Sequence, residues 1–288
     1  MQPIFSNFTS MKHSLFFLIF VISFNSISYS QGKIKEAEDS LKDNQNTSNN
    51  SQTETTYTNS CNAPKGNFLT DVIGGLFIQL LAYTAYGIAI ESPFETTHLA
   101  NNAYLTKHPY KNSETGNFSY YWNDDTELFT TSITTRCLFE TNRLYGYHLN
   151  ADLRFFKRFG LELDYLQLWE ENPNFGNNTL AIYTALAKYN RIRTEHFNAY
   201  WGLGASYING DVNALGFTYG LGAEWFFIKP FSLASNFNQI LVNDNTVNKF
   251  NGLLNYHRKQ YKFIGGYEYL KIGNIGVSNV SLGIGIYL

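Results

Sequence analysis

Charge, cysteine and methionine are all scarce in this chain of 288 residues, and each shortage removes a class of explanation. Charged residues make up 15% of it and the formal net charge is -2, so there is no basic field to attract a nucleic-acid backbone, and no nucleic-acid partner is expected. The two cysteines, Cys61 and Cys137, lie far apart and the six histidines are scattered, so they offer no zinc spacing. No metal and no cofactor is expected. Export would permit a disulfide between the two thiols, and two free thiols suit the sequence equally well. A G-x-S-x-G nucleophile motif is missing. The stretches "GLGAS" and "GLGAE" look like phosphate loops only superficially, because each lies inside an alternating segment with no helix following.

Aromatic residues are what the chain has in excess. They reach 17%, with 21 Tyr and 24 Phe, an excess that suits half-buried strands and water-lipid boundaries. The segment "MKHSLFFLIFVISFNSISYSQG" reads as a secretory signal: Lys12 and His13, an apolar run from Leu15 to Phe24, and a small-residue exit at Ser28-Tyr29-Ser30. Residues 1–30 are therefore expected to be a cleaved signal peptide. Their apolar run is short for a membrane span of about 20 residues, and no cysteine marks a lipoprotein.

Residues 31–66 are polar and rich in Asn, Ser and Thr. They carry too little apolar surface to offset ordering entropy, so a disordered linker is expected, in which "KIKEAEDSLKD" can form a short helix. Residues 67–90, "NFLTDVIGGLFIQLLAYTAYGIAI", are apolar nearly throughout. A docked apolar helix is the favoured reading; a plug, or a hairpin turning at Gly74-Gly75, are the alternatives. Residues 91–126, with Pro93 and Pro109, read as an irregular loop.

From residue 127 to residue 288 the apolar period is two, not 3.6. In "LYGYHLNADLRFF" Tyr145, Tyr147, Leu149, Ala151, Leu153 and Phe155 share one face, opposite Gly146, His148, Asn150, Asp152 and Arg154. The chain's last residues, "VSNVSLGIGIYL", keep the same alternation. Ten strands are expected, at 127–140, 144–155, 160–168, 180–189, 196–208, 215–228, 231–242, 247–257, 261–272 and 277–288. Eight is the fallback, because two segments are imperfect. "LELDYLQLW" changes phase at Tyr165 and Leu166, where a bulge is expected, and "TLAIYTALAKY" is apolar on both faces.

The placement of charge separates a sandwich from a barrel. A soluble sandwich dresses its outer faces with Lys, Glu and Thr; here the charges fall opposite a long aliphatic and aromatic stripe. Arg136, His148, Asp152, Arg154, Glu162, Asp164, Glu224, Lys249, Lys262 and Glu268 are expected to form a polar network inside a closed antiparallel transmembrane β-barrel. Closure also explains a terminal strand patterned to its last residue, since it must pair with the first. Tyr145, Trp169, Tyr189, Trp225 and Tyr261 are expected at the two interfaces. The short turns "KRFG", "NRIRTE", "IKPF" and "HRKQ" all carry Lys or Arg and read as periplasmic. "WEENPNFGNNT" and "VNDNT" read as outward loops.

With its signal, polar linker and Tyr/Gly-rich strands, the chain resembles the small outer-membrane β-barrel proteins of Gram-negative bacteria, especially those of the Bacteroidota. "LYGYHLNADLRFFKRFGLELDYLQLWE" and "ALGFTYGLGAEWFFIKPFSLASNFNQ" carry the likeness most strongly. It implies the bacterial outer membrane as location, the lipid bilayer as partner, a monomer, and assembly machinery that recognises the C-terminal strand. Such proteins commonly end in an aromatic residue, whereas this chain ends in Leu288 after Tyr287.

The expected role is structural or binding, with a mostly filled polar interior. A narrow channel or transporter for small solutes is the first alternative, and a barrel hydrolase or acyltransferase acting on lipid the second. His148, Asp152 and Ser206, or His257 with Glu268, are the candidates for acid-base work. Buried polar groups far more often satisfy one another, so no enzyme is expected.

Overall fold

The computed structural model describes residues 32–42, 102–111, 113–141, 143–172, 176–242 and 245–288. Ten strands form a closed barrel, each antiparallel to its neighbours: β4 (Phe129–Phe139), β5 (Leu144–Phe155), β6 (Phe159–Asn172), β7 (Gly176–Arg193), β8 (Phe197–Asn209), β9 (Ala214–Ile228), β10 (Phe231–Val242), β11 (Asn245–Arg258), β12 (Tyr261–Ile272) and β13 (Ile275–Tyr287). Ahead of them lie a helix, α1 (Lys33–Asp39), and a small sheet of β1 (Tyr104–Thr106), β2 (Phe118–Ser119) and β3 (Thr126–Glu127).

Closure is made by β13 against β4, in register from Val280 opposite Phe139 to Tyr287 opposite Ser132. The pairing runs to the last residue. The Leu288 N–H donates to the Thr131 carbonyl at 2.8 Å and the Thr131 N–H returns a bond at 3.3 Å. Val280, Leu282 and Ile284 face outward and Ser281 is buried inside, so the alternation of the terminal segment is that of a barrel wall.

Outward positions between the mouths are mostly apolar, with exposed Leu163, Phe217, Leu254, Tyr267 and Leu282 among them and uncharged polar exceptions such as Thr135, Ser235 and Gln239. Among the described residues these outward positions carry charge only near the strand ends, at Glu171, Arg191, Arg258 and Lys271. Tyr145, Trp169, Tyr189, Trp225 and Tyr261 also face outward. Tyr145 stacks on Trp169 near one mouth, and Tyr189 packs between Phe159 and Trp201 near the other.

Several expectations change. No bulge falls at Tyr165 and Leu166, because β6 keeps unbroken register with both neighbours. Its side chains simply change character: Glu162 and Asp164 point inward low in the strand, and Leu166 and Leu168 point inward higher up. The register shifts instead in β7, between Asn190 and Ile192, and where β9 meets β10, between Phe231 and Leu233. The expected outward loop "WEENPNFGNNT" is mostly strand, pairing from Trp169 opposite Thr179 to Asn172 opposite Gly176. Within the expected loop 91–126 sits the small sheet. Within the expected linker 31–66, residues 33–39 are helical and docked, so that part is ordered. The signal peptide 1–30 and the apolar segment 67–90 lie outside the described residues. Cys137 is a free, exposed thiol on the outward face of β4.

Candidate functional site

The lumen is built in layers set by the period-two pattern. At its middle, Arg136, Arg154, Lys188, Lys249 and Lys262 face Asp152, Glu162, Asp164, Glu224 and Glu268, five cations against five carboxylates. The ten residues named from the sequence for this network all project here. Lys188 was missed because its strand is apolar on both faces, and no signal in the sequence marks it as central. Its ammonium bonds Asp152 and, at 3.1 Å, Glu162. Arg154 closes on Asp152 at 2.8 Å, and Arg136 on Glu268 at 2.6 Å. Asp164 joins His148 to Lys249. Tyr200 donates to Asn236 at 2.8 Å and lies 3.2 Å from Glu162. A cavity of about 80 Å³ remains among these groups, room for a few waters.

His148 sits at the junction. Its Nε2 meets Asp164, while its Nδ1 lies 2.6 Å from Glu268 and 2.7 Å from an Arg136 nitrogen. The imidazolium form supplies donors to both carboxylates at once; the neutral ring can satisfy only one of them. Ser206 is not part of this junction: it bonds Thr184 at 2.8 Å and Thr218 at 2.6 Å. Nor does His257 meet Glu268. His257 Nε2 lies 2.8 Å from Ser232, whose hydroxyl donates to Glu224 at 2.7 Å. Serine, histidine and carboxylate are thus together, but the acid contacts the serine, and His257 Nδ1 has no partner. A hydrolytic triad needs the acid on the imidazole to orient it. Among the described residues no group of side chains is arranged to hold a metal ion.

Described segments of the chain enter both mouths. At the mouth that holds Leu288, the Asn117 amide reaches into the lumen to Glu224 at 2.8 Å, and Tyr110 donates to the Phe231 carbonyl at 2.7 Å. At the opposite mouth the lumen turns apolar: Leu138, Leu144, Leu168, Ile240 and Val277 form a ring, and Ile34, Ala37 and Leu41 of α1 and its C-terminal turn drop into it. A helix of seven residues is not stable alone, so packing and capping must hold it. Gly32 has no side chain to cap with. Glu170 of β6 does so instead, accepting from the N–H groups of Gly32, Lys33 and Ile34 at 3.1, 3.0 and 2.8 Å. Lys33 adds a 2.9 Å ion pair to Glu140.

Glu38 is the titratable group of this closure. Its carboxylate accepts from the Asp211 N–H at 2.9 Å, and burial pushes its pKa up to about 7. The Asp211 and Asp39 charges add to that rise, and the Asp211 N–H and Lys42 oppose it. An acid whose pKa is higher when docked than when free holds its proton in the docked state while the free state loses it. Docking is therefore strongest below the ordinary glutamate range, and the contribution of Glu38 is lost as pH rises from there through about 7. Trypsin cleavage at Lys35 and Lys42 is expected to be faster at pH 8 than at pH 5.5 after correction for the protease's own pH profile. Glu38→Gln is expected to flatten that difference; an unchanged difference in the variant would assign it elsewhere.

A closed antiparallel barrel, apolar outside and charge-paired inside, is the class of protein that fold and lumen define. No protein-family model and no curated protein matches the chain. Among solved structures it is similar to the outer membrane protein Ail of Yersinia pestis in a phospholipid bilayer nanodisc, at 14% identity over 56% of this chain and 100% of that one, with a TM-score of 0.34. It is also similar to an outer membrane channel from Pseudomonas putida F1, at 10% identity over 56% of this chain and 95% of that one, with a TM-score of 0.37. A third is Neisserial surface protein A, at 15% identity over 55% of this chain and 95% of that one, with a TM-score of 0.24. Overlaps of this size carry no argument about what the present chain does.

Proposed function

We propose that the chain is a monomeric barrel of the bacterial outer membrane with a structural or binding role and no catalytic step. One observation carries the membrane assignment: the outward faces of the ten strands are mostly apolar and free of charge between the mouths, while the middle of the lumen holds five cations and five carboxylates. In water that arrangement is inverted. In a bilayer it is the favourable one, because a lysine or arginine facing lipid at mid-depth costs about 2–4 kcal/mol and an open sheet edge is not tolerated.

The paired lumen supports a filled interior rather than a conduit, and the apolar ring around α1 stands against a narrow channel for small solutes. A lipid-modifying enzyme lacks support for a simpler reason: His148, Asp152, Ser206 and Glu268 are each bonded to their neighbours, and no carboxylate bonds His257 to orient it. The terminal strand β13, paired to Leu288, is the segment assigned to the assembly machinery.

Gel mobility with and without boiling tests this reading, using protein extracted from outer-membrane fractions. The unboiled protein is expected to run as a compact band that shifts on heating. A protein that fractionates as soluble and shows no shift would mean that the apolar stripes are covered by something other than lipid.

A further inference from the structure

The charges of the lumen do not balance. The imidazolium of His148, met by a carboxylate at each ring nitrogen, makes a sixth cation beside Arg136, Arg154, Lys188, Lys249 and Lys262, and five carboxylates stand against them. The odd charge can be located. Arg136 pairs with Glu268, Arg154 with Asp152, Lys188 with Asp152 and Glu162, and Lys249 with Asp164. Among the described residues no carboxylate comes within ion-pair distance of Lys262.

Lys262 leans across β13. A side-chain carbon on Gly285 would stand 2.7 Å from Lys262 Cε and 2.6 Å from Thr134 Cγ2, so glycine there lets the lysine stem pass toward β4. Lys262 lines the cavity of about 80 Å³, with the centroid of the Tyr287 ring 5.2 Å from its ammonium. The charges that act on it most are Glu224 and Asp152, which attract it, and Arg154 and Arg136, which repel it. Both carboxylates are already engaged. Glu224 accepts from Ser232, Asn117 and Asn255 at 2.7, 2.8 and 3.2 Å, and Asp152 accepts from Arg154 and Lys188. Other donors open into the same cavity. The Ser132 hydroxyl lines it and bonds no described group, and Arg154 turns Nε and Nη2 to one oxygen of Asp152, both at 2.8 Å, leaving Nη1 with no acceptor among the described residues.

We infer that the lumen binds one small monovalent anion of the halide class, between the Lys262 ammonium, the Ser132 hydroxyl and the Arg154 guanidinium. A lone positive charge inside a wall surrounded by hydrocarbon is strongly unfavourable unless an opposite charge accompanies it. The count sets the charge of the ligand: one negative charge brings the lumen to neutrality, and a second would be repelled by Glu224 and Asp152. The volume sets its size. At about 80 Å³ the cavity is well below the range of about 300–1,000 Å³ that organic ligands occupy, and it has room for one ion with a few waters. The inference rests on the reading of the chain as a membrane barrel with a filled interior, and names what completes the filling.

The test refolds the purified protein into detergent micelles in sodium chloride, sodium bromide or sodium gluconate at equal ionic strength, and measures the midpoint temperature of the heat-dependent gel shift. Chloride and bromide are expected to raise the midpoint over gluconate, by about 3–6 °C for each tenfold rise in halide once the site is filled. Lys262→Met is expected to erase the halide dependence and, in gluconate, to be at least as stable as the wild type, because it removes the surplus charge. Crystals grown in bromide are expected to give an anomalous scattering peak beside Lys262. Equal midpoints in all three salts, a halide effect that survives in Lys262→Met, or bromide bound only on the surface, an adventitious ion only, would overturn the site while the gel shift leaves the barrel standing. So would a Lys262→Met protein destabilised equally in every salt, the result expected if Lys262 simply served as the partner of Glu224. No gel shift in any salt would overturn the barrel reading and the site together.

Discussion

Replacing Asp164 with alanine is expected to lower the unfolding free energy by about 3–5 kcal/mol, the usual cost of breaking a buried ion pair from one side. Asp164 is the only carboxylate within ion-pair distance of Lys249 among the described residues, and it also holds one nitrogen of His148. Its removal leaves an ammonium in a lumen too small to hydrate it fully. The penalty comes from the abandoned charge rather than from the lost attraction. Lys249→Met placed on top of the first change should therefore recover part of the loss, and the two substitutions should be far from additive. Leu163→Ala, at the adjacent outward position, changes only contacts beyond the wall and is expected to cost much less. Guanidinium unfolding in detergent micelles, followed by gel mobility, reads the wild type and these variants, with Lys249→Met alone completing the cycle. A change within about 0.5 kcal/mol for Asp164→Ala would place it among surface substitutions and show that water reaches the network freely.

The same network shows how far sequence reasoning carries. Alternation over residues 144–155, 231–242 and 261–272 located β5, β10 and β12 to the residue, because in a barrel wall every second side chain must match lipid or lumen. Lys188 escaped because that rule holds only while the inside is polar. Toward the α1 mouth the inside turns apolar, so Leu180 and Ile182 point inward between Ala181 and Tyr183, and the strand loses its visible phase. Leu166 and Leu168 produced the false bulge for the same reason. What the sequence could not show is why the interior changes character there. The cause is α1, whose cap, Glu170, lies 136 residues further along the chain from Ile34. A seven-residue helix with Ile34 and Ala37 on one face, followed by Leu41 in its C-terminal turn, is unremarkable in sequence until the ring that receives it is known.

That ring gives the second large effect. Leu41→Asp is expected to release α1 from the mouth. Leu41 is fully buried among apolar side chains, and none of the neighbours in its cluster offers a partner for a carboxylate. Even Leu41→Ala should weaken docking by about 2–5 kcal/mol, the range for truncating a packed leucine. The barrel itself needs neither residue, because its hydrogen bonds run from strand to strand. The two elements should therefore separate experimentally. In Leu41→Asp, trypsin is expected to cut at Lys35 and Lys42 at least tenfold faster than in the wild type at pH 5.5, a change corresponding to about 1.4 kcal/mol or more of docking free energy. The heat-dependent gel shift should survive. Glu170→Ala should act in the same direction through the three amide groups it leaves uncapped. If Leu41→Asp left cleavage unchanged, α1 would not be held by its apolar face. If it abolished the gel shift, α1 would be part of the barrel's stability rather than a closure set into a finished wall.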